Sequence, residues 1–296
     1  MATANHCRNP DSSSAIHCCC SCSILRISLN PLSRRRDLWS TDPVPEPVKQ
    51  LLALCHEIGR EDRGLAVLAE GNCSARIDDA HFAIKASGCS LATLTAEDLT
   101  LCDTKKVLAM VDQMGLDGAE LEKGLMNTRV DGKGKRPSIE TAFHSWLLQL
   151  DDAQFVGHCH PLHCNMILCS HRAEEFATKR LFPDEVVCCG SQSVFVPYSD
   201  PGLTLAREIQ ARVLNFLRRS YGPPPRLILL QNHGIIAVGS SAMSVLATLM
   251  MAEKAARIFV GAASLGGPVF LPAHLTQRIG ARPHEAHRQP QIRVAL

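Results

Sequence analysis

The chain has 296 residues, enough for one large domain or two small ones. Hydrophobic residues make up 46% and charged residues 20%, and 31 basic against 29 acidic residues leave a net charge of +2. That balance is ordinary for a globular protein and excludes the strongly basic character of a nucleic-acid or membrane-surface binder. No apolar run approaches the roughly 20 residues of a membrane-spanning helix. Of the 14 cysteines, Cys7, Cys18, Cys19, Cys20 and Cys22 crowd the first 22 residues, and the others are scattered through apolar segments. The scattered ones read as buried, reduced thiols of a cytoplasmic protein, not as a disulfide framework.

In chain order, residues 1–42 are rich in Cys, Ser and Arg, lack helical or strand period, and read as a disordered extension. Their cysteine spacing matches no zinc finger. The Pro-rich stretch Thr41–Pro47 leads into a folded domain spanning 43–296. A helix is expected from Glu46 to Arg60, where Val48, Leu51, Leu52, Leu54, Cys55 and Ile58 recur at helical spacing. Gly71-Asn72 reads as a turn, and Cys73–Ile77 and His81–Lys85 as two strands of a hairpin about Asp78-Asp79. Ser87-Gly88 closes the second strand, Thr95–Leu99 reads as a short capped helix, and residues 100–130 as short strands and turns. Pro137 or Ser138 opens a helix with an apolar stripe of Ile139, Phe143, Trp146, Leu147 and Leu150. A strand follows around Phe155–His160, and another at Val194–Pro197. A helix is expected from Asp200-Pro201 to about Leu217, strands at Leu227–Leu230 and Gly234–Val238, and a long Ala-rich helix from Ser241 to about Val260. The whole is a mixed α/β domain with hairpins, not a regular βαβ repeat.

Within this pattern His158-Cys159-His160 is the most informative element. A strand directs residues i and i+2 to one face, so both imidazoles point the same way and Cys159 the other. His233 stands between the last two strands, where a turn swings it inward. Three histidines with no fourth protein ligand leave a position open to water or substrate, which suits a catalytic divalent metal and not a closed structural zinc. His144 and His163, close to this motif, read as packed or hydrogen-bonded neighbours, and Tyr198 as a surface turn aromatic. The basic stretch Arg278–Arg293 reads as solvated or subunit-contacting.

The motifs Gly71-Asn72-Cys73-Ser74, Ser87-Gly88, Pro137-Ser138-Ile139-Glu140, His158-Cys159-His160-Pro161 and Gln231-Asn232-His233-Gly234 resemble, in this order, those of the class II aldolase/adducin family. The resemblance covers roughly residues 43–290. It implies an α/β fold, a three-layer α-β-α sandwich around a largely antiparallel central sheet, assembled as a homotetramer. It implies His158, His160 and His233 as ligands of a divalent metal, usually Zn2+, and Glu140 as catalytic acid/base. Asn72, Ser87, Gly88 and Ser138 would bind a small carbonyl or sugar substrate. The expected function is that of a metal-dependent aldehyde-lyase, with reversible aldol cleavage through an enediolate that the metal chelates. The alternatives are a sibling dehydratase, 4-epimerase or decarboxylase on the same site, or an adducin-like module without catalysis. Two departures bear on substrate. Ile139 stands where many phosphate-binding members carry a second serine. No tyrosine occurs in Leu181–Asp184, where some aldolases of the family have one.

Overall fold

A computed structural model describes residues 44–113, 118–220 and 222–281. The expected N-terminal extension with its cysteine cluster, and the tail beyond Ala281, lie outside the described residues. Helices α1 (Glu46–Ile58), α2 (Thr104–Val111), α3 (Gly118–Asn127), α4 (Thr141–Leu147), α5 (Leu162–Leu168), α6 (Ala173–Thr178), α7 (Pro183–Cys189), α8 (Leu203–Ser220), α9 (Ala242–Ala263) and α10 (Ala273–Gly280) surround one sheet. Its strands are β1 (Asn72–Arg76), β2 (His81–Lys85), β3 (Leu99–Asp103), β4 (Phe155–Cys159), β5 (Val194–Val196), β6 (Leu227–Leu230) and β7 (Gly234–Gly239). The strand order is β3-β2-β1-β4-β7-β6-β5, antiparallel throughout except for the β5–β6 pair.

Strand residues alternate between two cores, as a period of two requires. Cys73, Ala75, Phe155, Cys159, Leu229, Ile235 and Ala237 pack with α1, α5, α6, α7 and α9 on one side. Phe82, Ile84, Val156, Ile228, Leu230, Ile236 and Val238 pack with α2, α3, α4 and α8 on the other. This is the expected three-layer sandwich. The helix ends follow local chemistry. Pro47 sits in the first turn of α1, the Asp103 side chain takes the Lys106 N–H at the start of α2, and Ser241 and Ser244 form a reciprocal cap on α9.

Several expectations are corrected. Residues 100–130 hold α2 and α3 as well as a strand, and α5, α6 and α7 fill 162–189, where the apolar positions come in runs too short to show a period. The helix expected from Pro137 or Ser138 begins at Thr141 and ends at Leu147, so Leu150 lies beyond it. The cause is upstream: Pro137 pairs in an isolated bridge with Ala86 and Ser87 N–H donates to Arg136 O (2.9 Å), which keeps 136–137 extended. Asn72 opens β1 instead of occupying a turn, and the helix after Pro201 starts at Leu203 and runs to Ser220. No helix among the described residues is long and apolar enough to cross a membrane.

Candidate metal centre

The register brings the site together in the middle of the sheet. Asn72 pairs with His158 across β1–β4, and His158 pairs with Ile236 across β4–β7, so the three share one row and one face. His160 follows the last residue of β4 and is half-buried. Residues 231–233 form the tight turn between β6 and β7. Asn232 takes the left-handed conformation there (φ 54°), which its short polar side chain tolerates. Its N–H donates to Leu168 O (3.2 Å), and Asn165 Nδ2 donates to His233 O (3.1 Å), which pins the turn to α5. Gly71 has φ 72°, and a Cβ there would stand 2.7 Å from His158 O. Glycine at 71 therefore allows both the backbone conformation and the approach of β1 to β4.

The three imidazoles form a nearly equilateral triangle. Ring centroids are 4.8, 4.9 and 5.0 Å apart, with planes 61–77° to one another. One nitrogen from each lies within 4.8 Å of the others. His158 Nδ1 faces Ile235 O at 2.9 Å, and His160 Nδ1 faces Glu70 Oε2 at 3.0 Å. Both partners are acceptors, so both Nδ1 atoms donate, and a ring in its neutral form then carries its lone pair on Nε2. Those two Nε2 atoms stand 3.0 Å apart. A cation bound tetrahedrally at about 2.0–2.1 Å spaces its nitrogen ligands about 3.3 Å apart. The donor set therefore fits one divalent metal. Burial, and after it His160, pushes His158 down to about 3, while burial and then His158 push His233 down to about 4 against the pull of Glu140. Neutral rings at physiological pH are the ligand form.

Glu140 closes the open side of the triangle. It is the residue preceding the first turn of α4, with Oε2 3.5 Å from His158 Nε2 and Oε1 3.3 Å from His233 Nε2. Asn72 Nδ2 donates to Glu140 Oε2 at 2.6 Å and approaches Ser138 Oγ at 3.2 Å, and the Glu140 N–H also donates to Ser138 Oγ at 3.2 Å. Behind Asn72, His144 Nε2 donates to Asn72 Oδ1, and the Ser74 hydroxyl donates to His144 Nδ1 at 2.7 Å. Burial holds His144 well below the ordinary imidazole range, so it is a neutral relay in this chain of bonds. Ser74, His144, Asn72 and Glu140 are all buried.

The structure thus gathers His158, His160, His233, Glu140, Asn72 and Ser138 into one cluster, with Asn72 and Ser138 directed at Glu140. Ser87 and Gly88 form an exposed turn, tied through Ser87 N–H to Arg136, two residues ahead of Ser138. Tyr198 is 58% exposed and its hydroxyl donates to Asp200 Oδ1 (3.1 Å). His163 bonds Glu253 (2.6 Å). Sequence reasoning missed Glu70 altogether. It is 90 positions from His160, and no local pattern pairs the two.

Residues 49–260 match the family described as Class II Aldolase and Adducin N-terminal domain. Over 217 residues, 70% of this chain, it is 26% identical to an uncharacterized oxidoreductase, YuxG, of Bacillus subtilis, of which the match spans 29%. It is 25% identical over 208 residues (69% of this chain, 83% of the relative) to a 3-oxo-tetronate 4-phosphate decarboxylase of Haemophilus influenzae. It is 32% identical over 118 residues (40% of this chain, 42% of the relative) to a methylthioribulose-1-phosphate dehydratase of Yersinia pestis. The chain therefore spans less than a third of the Bacillus protein and under half of the dehydratase. Among solved structures, the N-terminal class II aldolase domain of a conserved Thermoplasma acidophilum protein superposes with a TM-score of 0.59 at 21% identity, over 76% of this chain and 98% of that one. An L-fuculose 1-phosphate aldolase has a TM-score of 0.59 at 18% identity over 79% and 94% of the two chains. Both share the fold.

Proposed function

The chain belongs to the class II aldolase and adducin family, and on that premise we propose that it is a metal-dependent lyase that reversibly cleaves a carbon–carbon bond in a small hydroxylated carbonyl compound, a sugar or sugar phosphate. The observation that carries this reading is the Glu140 carboxylate, 3.3–3.5 Å from two Nε2 atoms of the histidine triangle and held there by Asn72. His158, His160 and His233 would hold the cation, with zinc the first choice for three neutral imidazoles. When bound, that cation supplies Lewis acidity toward a carbonyl or hydroxyl oxygen.

The chain's own groups supply the proton transfers. Glu140 takes the proton of the substrate hydroxyl as the carbon–carbon electron pair moves to the carbon beside the carbonyl and an aldehyde departs. The same carboxyl then returns a proton to that carbon. Asn72, bonded to Glu140 Oε2, to Ser138 and to His144, fixes the direction of the carboxylate. Ser138 and the Ser87-Gly88 turn, whose Gly88 has φ 79° and is exposed, would receive the distal part of the substrate. Assembly as a homotetramer and residence in the cytoplasm belong to the same proposal. The free thiols of the nine described cysteines support a reducing compartment.

A second reading, decarboxylation of a 3-oxo acid, is favoured by the Haemophilus influenzae relative, which the chain matches over 83% of its length. Loss of CO2 leaves the same electron pair beside a carbonyl and needs only the proton-return half of the Glu140 cycle, with the proton that Glu140 delivers to carbon drawn from water. A screen of phosphorylated and unphosphorylated sugars and sugar acids with mass detection separates the two, because cleavage releases an aldehyde and decarboxylation releases CO2. Purified protein is expected to carry about one divalent metal per subunit, which His160→Ala loses; metal-free wild-type protein would end the enzyme reading. Glu140→Gln is expected to keep fold and metal and to lose turnover by about 100-fold or more. Full activity in that variant removes Glu140 from the mechanism.

A further inference from the structure

We infer that Glu70 is a positioning residue of the metal centre, its carboxylate setting the ring of His160 so that Nε2 faces the cation while it fastens the 64–70 loop to the end of β4. The inference rests on the metal-dependent reading above. Glu70 bonds in two directions. Oε2 meets His160 Nδ1 at 3.0 Å, and Oε1 takes the Val67 N–H at 2.6 Å. The loop between these contacts is strained. Leu68 lies in the left-handed region (φ 57°) with a side chain 90% exposed, so no packing of that side chain offsets the backbone strain. What holds the loop is its fastening on both sides. His160 N–H donates to Leu65 O (3.0 Å), Leu162 N–H to Gly64 O (3.3 Å), and the buried Lys85 Nζ to Ala69 O (3.1 Å).

The three candidate ligands differ in what stands behind them. His158 has a backbone carbonyl at Nδ1, and His233 Nδ1 is buried with no hydrogen-bond partner among the described residues. His160 alone of the three has a carboxylate behind its ring. An anionic partner at Nδ1 fixes the tautomer, restrains ring rotation and raises the basicity of Nε2. His160 needs this most. It lies beyond the last strand pair and is half-buried, whereas His158 is completely buried and locked within the sheet.

The test compares Glu70→Ala and Glu70→Gln with the wild type. Dissociation constants for Zn2+ and Co2+ are measured by chelator competition, and thermal midpoints are measured on metal-stripped protein. Glu70→Ala is expected to weaken metal binding about 10- to 100-fold and, because the loop loses one of its fastenings, to lower the metal-free midpoint slightly as well. Glu70→Gln keeps an acceptor oxygen but not the charge, and is expected to lie between the two. Wild-type affinity in both variants overturns the inference. So does a lowered metal-free midpoint with unchanged affinity, which would make Glu70 a loop clamp only. Should Glu70→Ala not fold, Glu70→Gln decides, and wild-type affinity there overturns the role of the charge. A wild-type protein that binds no metal would instead bring down the metal-dependent reading itself, a result distinct from metal binding that ignores Glu70.

Discussion

Gly234 shows how much of the site depends on a missing atom. A Cβ at this position would stand 2.6 Å from Cys159 O, 2.6 Å from His160 Cδ2 and 3.3 Å from His158 Cε1. All three are backbone or ring atoms of the candidate ligands or of the residue between them, so relief requires moving β7 or turning His160. Gly234→Ala is expected to destabilise the protein by about 1–3 kcal/mol, as overpacking does, and to reduce bound metal. Gly118→Ala, where the added carbon meets nothing within 4 Å among the described residues, serves as the control. Denaturant titration and metal content measure both effects, and an unchanged Gly234→Ala protein would show that the β4–β7 approach has slack. At the same scale, the His-x-His pair, His233 and Glu140 were legible in the sequence, because strand periodicity and motif order mark them. The direction of Asn72 was not. Its amide is spent on Glu140, Ser138 and His144, partners 66–72 positions away that only the register of β1 against β4 and the packing of α4 bring near.

Among the elements, long ones with a clear period were legible and short ones were not. α1 and α9 were expected close to where they stand, since α1 buries Val48, Leu51, Leu54, Cys55 and Ile58 as one stripe and α9 opens on its Ser241 cap. α5, α6 and α7 span six or seven residues each, less than two turns, and burial on a crowded sheet face defines them more than any local pattern does. The turn at Thr95–Asp98 was legible as a cap, and Asp98 carries a testable charge effect. Its carboxylate takes the Thr95 N–H and hydroxyl, both at 2.9 Å, and Lys135 Nζ at 2.5 Å. Burial pushes this carboxyl up, but the Lys135 and Thr95 bonds together outweigh it and hold Asp98 well below the ordinary carboxylate range. A group held low contributes stability that is present above its ordinary value and lost as pH falls through its folded value. Asp98→Asn is therefore expected to cost about 1 kcal/mol at pH 7, the usual worth of such a cap, with the same difference at pH 5. In strong acid, where the wild-type carboxyl is itself protonated, the two proteins should converge. Thermal or urea unfolding across that range checks the sign.

For the molecule as a whole, the candidate metal centre ties β4 to the β6–β7 turn and faces α4, so it joins the middle of the sheet to one helical layer. A ligand that binds only the folded state stabilises it by RT ln(1 + [L]/Kd), about 4 kcal/mol at a thousandfold excess over Kd. Chelation is expected to lower the thermal midpoint, zinc to restore it, and His233→Ala to show neither response. The family and the three-layer sandwich could be drawn from the sequence alone, because two-residue alternation, two strongly periodic helices and five ordered motifs are local properties of the chain. The three candidate ligand histidines could be picked out from it for the same reason. The tertiary structure decided what surrounds them: Glu140 against two Nε2 atoms, Asn72 and His144 behind Glu140, Glu70 behind His160, and glycine at 234 to let β4 and β7 close. Those pairings span tens of positions, and they arise from strand register and from the demand that buried polar groups find partners, neither of which is written in any short stretch of residues.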